Sequence, residues 1–126
     1  MPKTCVALLI VLLAFACSQE LPKSLEQEYT VLFTRITEAE TPDAVERMAG
    51  EIELFRTRWT KELGQDDPRL NTRLEILDLL IMVRRDMLTA RGIMETDPAR
   101  ARELVGRADL NLKKIQDLVQ SIKPAQ

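Results

Sequence analysis

Three kinds of side chain in this 126-residue chain have chemistry to offer: two thiols, several closely spaced carboxylates and a group of guanidiniums. The thiols are Cys5 and Cys17. Cys17 ends the apolar stretch LLAFACSQE, Leu12 to Glu20, where a thiol can be buried, paired in a disulfide or covalently capped. The carboxylates come in pairs: Glu38 with Glu40, Glu51 with Glu53, Asp66 with Asp67. Acid–base catalysis needs its groups converging on one proton. Residues two apart on a helix do not face each other, and Asp66 and Asp67 precede a proline, where acids suit the start of a helix. There is no histidine, which removes the commonest general base and metal ligand, the Glu-x-x-His pairs of di-iron bundles and any Ser-His-Asp triad. No glycine-rich phosphate loop and no G-x-S-x-G motif occur. The sequence therefore predicts no enzyme, no catalytic residues, no cofactor and no metal site. The guanidiniums of Arg84, Arg85, Arg91, Arg100, Arg102 and Arg107 fall near one predicted turn. They could receive an acidic partner or anionic headgroups, but the interleaved Asp86, Glu95, Asp97 and Glu103 favour an ordinary charged surface.

Cys17 acquires a meaning from what precedes it. Met1-Pro2-Lys3-Thr4 is basic, and VALLIVLLAFA, Val6 to Ala16, has neither charge nor helix breaker. It is about half of the ~20 apolar residues that span a bilayer, and its pattern is that of a secretory signal peptide, residues 1–16. Ala14-Phe15-Ala16 satisfies ordinary signal cleavage. Ala14-Phe15-Ala16-Cys17 also resembles the lipobox of bacterial lipoproteins, with alanine at the first position where leucine is more usual. The resemblance covers only the first 17 or so residues. It implies a diacylglycerated Cys17 as the first residue of the mature chain, attached to the membrane through its lipid. Ser18, standing where aspartate would retain such a protein at the inner membrane, implies sorting to the outer membrane, facing the periplasm. Cys5 would leave with the signal segment, so no thiol would remain for a disulfide. More than one acyl chain is needed for stable anchoring.

Residues 17–126 suffice for one domain with a core of its own: a short lipidated tether at 17–23, then a helical domain at 24–123. With no basic excess and few aromatics, nucleic acid is not an expected partner. Thr41-Pro42, Asp67-Pro68 and Asp97-Pro98 each place a capping side chain before a proline. Ser24 with Gln27 has the form of a capping box, and Gly64 that of a C-terminal stop. Apolar stripes follow at spacings of three and four: Leu25, Tyr29, Leu32, Ile36 and Ala39; Val45, Met48, Ile52, Phe55, Trp59 and Leu63; Ala101, Leu104, Ala108, Leu112, Ile115, Val119 and Ile122. LEILDLLIMV, Leu74 to Val83, is apolar over most of its circumference and should be the most buried helix, with Asp78 on a polar strip. Short connections make an all-α, up-down-up-down antiparallel four-helix bundle, helices at about 24–40, 43–63, 68–95 and 98–122. A shift of 56 residues superposes the last helix on the second, pairing Pro42 with Pro98, Gly50 with Gly106 and Leu54 with Leu110. Any two proline-started amphipathic helices would match about as well.

Gly50, Leu54, Gly106 and Leu110 lie off these stripes. An interior helical glycine costs about 1 kcal/mol relative to alanine. A glycine one turn before an outward leucine leaves a notch for a partner helix; the competing explanation is a close helix crossing or a bend. Six residues of tether reach roughly 20 Å, which would keep the bundle at the membrane. The expected role is that of a membrane-anchored adaptor or scaffold for another envelope protein. In size, anchor and helix number the chain is similar to the pilotins, small helical lipoproteins that escort secretion-channel subunits, though it has no motif specific to them. The alternative is a carrier of a small ligand or lipid, with a cavity beside the third helix and Met82, Met87 and Met94.

Overall fold

The computed structural model describes residues 20–122. They form four helices, α1 (Lys23–Glu38), α2 (Pro42–Leu63), α3 (Pro68–Ile93) and α4 (Pro98–Ile122), with no strand among the described residues. Three helix starts use the device read from the sequence. Thr41 Oγ1 accepts from the Ala44 N–H at 3.1 Å. Asp67 Oδ1 accepts from Arg69 at 2.9 Å and Leu70 at 3.4 Å, and Asp97 Oδ1 from Arg100 at 3.1 Å. Each satisfies donors that the first turn leaves unpaired. Gly64 ends α2 at φ 90°, a conformation that favours glycine, and its N–H reaches Thr60 O at 2.8 Å.

The first helix departs from expectation at both ends. The capping box at Ser24 and Gln27 does not form. Pro22 is the N-cap, no side chain caps the helix, and the Pro22 carbonyl accepts from Glu26 N–H at 3.2 Å. The first turn therefore closes before Ser24, which lies inside the helix. At the other end α1 stops at Glu38 rather than 40. Ala39 turns extended, buries its methyl, and its carbonyl accepts from the Arg84 guanidinium. Likewise α3 stops at Ile93 rather than 95, because Thr96 and Asp97 both turn their N–H groups onto the Ile93 carbonyl, at 3.1 and 2.7 Å.

Side-chain pairs give the helix directions. Glu28 with Arg58 and Arg35 with Glu51 make α1 and α2 antiparallel. Glu26 with Arg73 and Ala39 with Arg84 make α1 and α3 parallel. Asp86 with Arg107 fits an α4 that runs back along α3. The bundle is thus up-down-up-down, and α3 is its hub. Its backbone approaches all three other helices, whereas no described Cα of α4 comes within 8 Å of α1 or α2. Leu70, Ile76 and Leu77 of α3 are sealed from solvent together with Leu25 and Ile36 of α1 and Val45 and Ile52 of α2. Each such side chain contributes roughly 1.5–3 kcal/mol.

The join between α3 and α4 has its own pattern. Buried positions on α4 are Ala101, Leu104, Ala108, Asn111 and Ile115, alternating three and four as in a coiled-coil seam. The expected stripe put Leu112 in this row. Asn111 takes that place at 6% exposure, and Leu112 is 38% exposed. On α3 the row of Ile76, Leu80 and Val83 is buried, but Met87 and Met94, which continue it, are at the surface.

Candidate functional site

Cys17, the expected point of lipid attachment, lies outside the described residues. The four residues expected to bind a partner are described. Leu54 on α2 is 73% exposed and Leu110 on α4 is 61% exposed, the two most exposed large apolar side chains of the bundle. Both sit opposite the buried stripe of an amphipathic helix, where solvent contact is greatest. Gly50 and Gly106, one turn earlier, are also exposed. A Cβ placed on either would meet no atom within 4 Å, so no helix crossing requires glycine there. The close-crossing explanation is thereby overturned. The structure does not combine the two notches into one surface, because α2 and α4 do not meet.

Leu54 belongs to a larger feature that the sequence did not single out. An open groove of about 480 Å³ runs between α1 and α2, lined by Ser24, Gln27, Glu28, Val31 and Leu32 on one side and Glu51, Leu54, Phe55 and Arg58 on the other. Val31, 49% exposed, faces Leu54 across it. Two polar rungs flank this apolar centre. At one end Glu28 accepts from Arg58 through Oε1 and from the buried Trp59 indole through Oε2 at 2.7 Å, while the Arg58 guanidinium lies over the Trp59 ring at 4.8 Å. At the other, Arg35 meets Glu51 at 3.5 Å. A lone exposed valine is unremarkable in sequence. Only the α1–α2 pairing brings it opposite Leu54.

The acid pairs of the sequence do not converge. Glu51 turns to Arg35 and Glu53 to Arg56, while the Asp67 pKa is lowered by hydrogen bonds from the Arg69 side chain and the helix-start amides. Asp78 accepts a fork from Arg56 at 2.8 and 2.9 Å, tying α2 to α3 at the surface. Most of the arginines are similarly occupied. Arg85 forks onto Glu46 at 2.7 and 2.9 Å, which lowers the Glu46 pKa, and Arg107 forks onto the buried Asp86 at 2.6 and 2.7 Å. Arg84, Arg85 and Arg91 bond to Ala39, Glu46 and Glu40, at the end of the bundle away from Glu20, where the chain enters. On α3 they lie 16 to 23 residues beyond Pro68, about 24–35 Å along the helix from the entry end.

At the entry end, Leu21, Glu26, Arg69, Arg73 and Ile122 bound a second open groove. Arg73 is buried against the Tyr29 ring at 5.7 Å and lies 2.6 Å from Glu26. Burial pushes the Tyr29 hydroxyl up to about 12, with Arg73 opposing that rise and Glu26 adding to it. These groups neutralise one another, and the arrangement ties α1 to α3 at that end of the bundle. Among the described residues, no group of three His, Cys, Asp or Glu is placed to hold a metal ion, and no helix is long and apolar enough to cross a membrane.

No family model matches the chain, and no curated protein or solved structure shows significant similarity to it.

Proposed function

We propose that the chain is a lipoprotein of the bacterial envelope, held by lipid on Cys17 at the outer membrane, whose helical bundle acts as an adaptor or scaffold for another envelope protein in the manner of a pilotin. The observation that carries the docking role is the pair of outward leucines, Leu54 and Leu110, each one turn beyond a glycine whose missing side chain leaves open space. Exposed leucine contributes nothing to folding, and interior glycine weakens a helix. Both choices suit a surface that another helix covers. The polar side chains around Leu54 are engaged in ion pairs of the bundle rather than gathered for catalysis.

The carrier reading has less support. Met82, Met87 and Met94 were its expected lining, yet they are 42%, 38% and 57% exposed. The best-formed concavities among the described residues are open grooves between helices, whereas ligand sites enclose most of their ligand. A photo-crosslinking residue at position 110, in chain expressed in its own host, tests the adaptor role. Stoichiometric capture of one envelope protein is expected, and a separate Leu110→Glu chain should lose stable co-purification of that protein. Crosslinks to lipid alone, or to many proteins in trace amounts, would contradict it.

A further inference from the structure

The groove between α1 and α2 carries a charge pattern complementary to itself, and we infer that a second copy of this chain docks there, side by side on the membrane. Each rung of the groove sets one acid against one base on opposite helices. At one level Glu28 is on α1 and Arg58 on α2; at the other Arg35 is on α1 and Glu51 on α2. The levels are seven residues apart on both helices, about 10 Å, and Val31 and Leu54 lie midway between them. Rotating a copy by 180° about an axis along the groove places α1 of one chain against α2 of the other at equal height. Glu28 then faces Arg58 of the second copy, Arg35 faces its Glu51, and the half-exposed Val31 faces its Leu54. Every contact occurs twice, as an isologous interface requires.

A rotation about an axis across the groove would also match charges, with Leu54 meeting Leu54 and Val31 meeting Val31, but it points the two chain entries in opposite directions. Copies tethered through Cys17 to one membrane are restricted to the first arrangement. The inference rests on the proposed anchor for that choice of sense, and on the groove itself for self-association. The apolar centre is small, so pairing would be weak in dilute solution and strengthened by confinement to a surface. It uses the Leu54 face and leaves Gly106 and Leu110 on α4 free for the envelope partner.

The test is co-expression in the native host of two full-length chains with different affinity tags, one Val31→Cys and one Leu54→Cys, followed by mild oxidation of isolated membranes. A mixed disulfide dimer is expected at roughly tenfold over the yield from either variant alone, as proximity within a pair dictates. Adding Arg58→Glu to both chains should remove most of it, and Glu28→Arg in the same chains should restore it. Like-with-like dimers in excess would overturn the parallel arrangement. No dimer above that formed by a Leu110→Cys control, with the protein still in the membrane fraction, would overturn self-association while leaving the anchor standing. Recovery of the protein in the soluble fraction would overturn the anchor and the parallel sense with it.

Discussion

The helices α2 and α4 bury the same register yet do different work. Shifted by 56 residues, Val45, Met48, Ile52, Phe55 and Trp59 fall on Ala101, Leu104, Ala108, Asn111 and Ile115, and all ten are buried. Gly50 and Leu54 fall on Gly106 and Leu110, all exposed. What differs is size. The α2 residues are bulky and fill the space between α1 and α3. Two of the α4 residues are alanine, and α4 lies against α3 alone among the described residues. Small residues let backbones come close, so α4 is docked by proximity to one neighbour, while α2 is wedged between two. One amphipathic pattern thus supports two modes of packing, decided by side-chain volume rather than by period.

That contrast can be broken, and the largest effect is expected at the bulkiest position. Trp59→Ala should cost about 3–5 kcal/mol, and it also strands Glu28 Oε2, which the indole N–H engages. Ile115→Ala, its counterpart on α4, should cost about 2–4 kcal/mol, since fewer neighbours surround it. Chemical denaturation of the purified chain compares the two. A larger loss at Ile115 would reverse the assignment of wedge and seam.

Volume can be tested directly. Ala108 has no exposure, so Ala108→Leu should cost about 1–3 kcal/mol by forcing α3 and α4 apart. Ile52→Val, at the equivalent place in α2, should cost only about 1 kcal/mol. Thermal unfolding of both variants sharpens the point, because an Ala108→Leu chain as stable as the parent would mean the seam has room to spare. Asn111 offers a gain. Its side-chain nitrogen is buried without a hydrogen-bond partner, so Asn111→Leu should raise stability by about 1 kcal/mol. A loss instead would show that the amide secures the register of α4.

The smallest effects are expected at the glycines. Gly50→Ala and Gly106→Ala should each stabilise the bundle by about 0.5–1 kcal/mol, because a Cβ at either position meets nothing within 4 Å. If the notches serve docking, Gly106→Ala should at the same time weaken recovery of the envelope partner. A chain that becomes more stable and captures less separates function from folding at that residue.

The four helices were legible because their starts carry local chemistry. Thr41, Asp67 and Asp97 cap within three residues of themselves, and a proline follows each. Ser24 misled for the same local reason in reverse: Pro22, two residues earlier, supplies the first carbonyl of the helix and pre-empts it. The exchange of Leu112 for Asn111 was not legible, since a period of 3.6 admits either residue and the choice belongs to the seam with α3. Leu54 and Leu110 stood out because they fall off the stripes of their own helices. Val31 and the two charge rungs did not, because α1 and α2 define them jointly and neither helix alone displays them.

The proposed role rests on attachment of the chain through Cys17. Mass spectrometry of the N-terminal peptide, from protein purified out of its own host, tests this most directly. The account predicts that the peptide begins at Cys17 and carries a thioether-linked diacylglycerol. A peptide beginning at Cys17 with a free thiol, or a chain that retains residues 1–16, would contradict it.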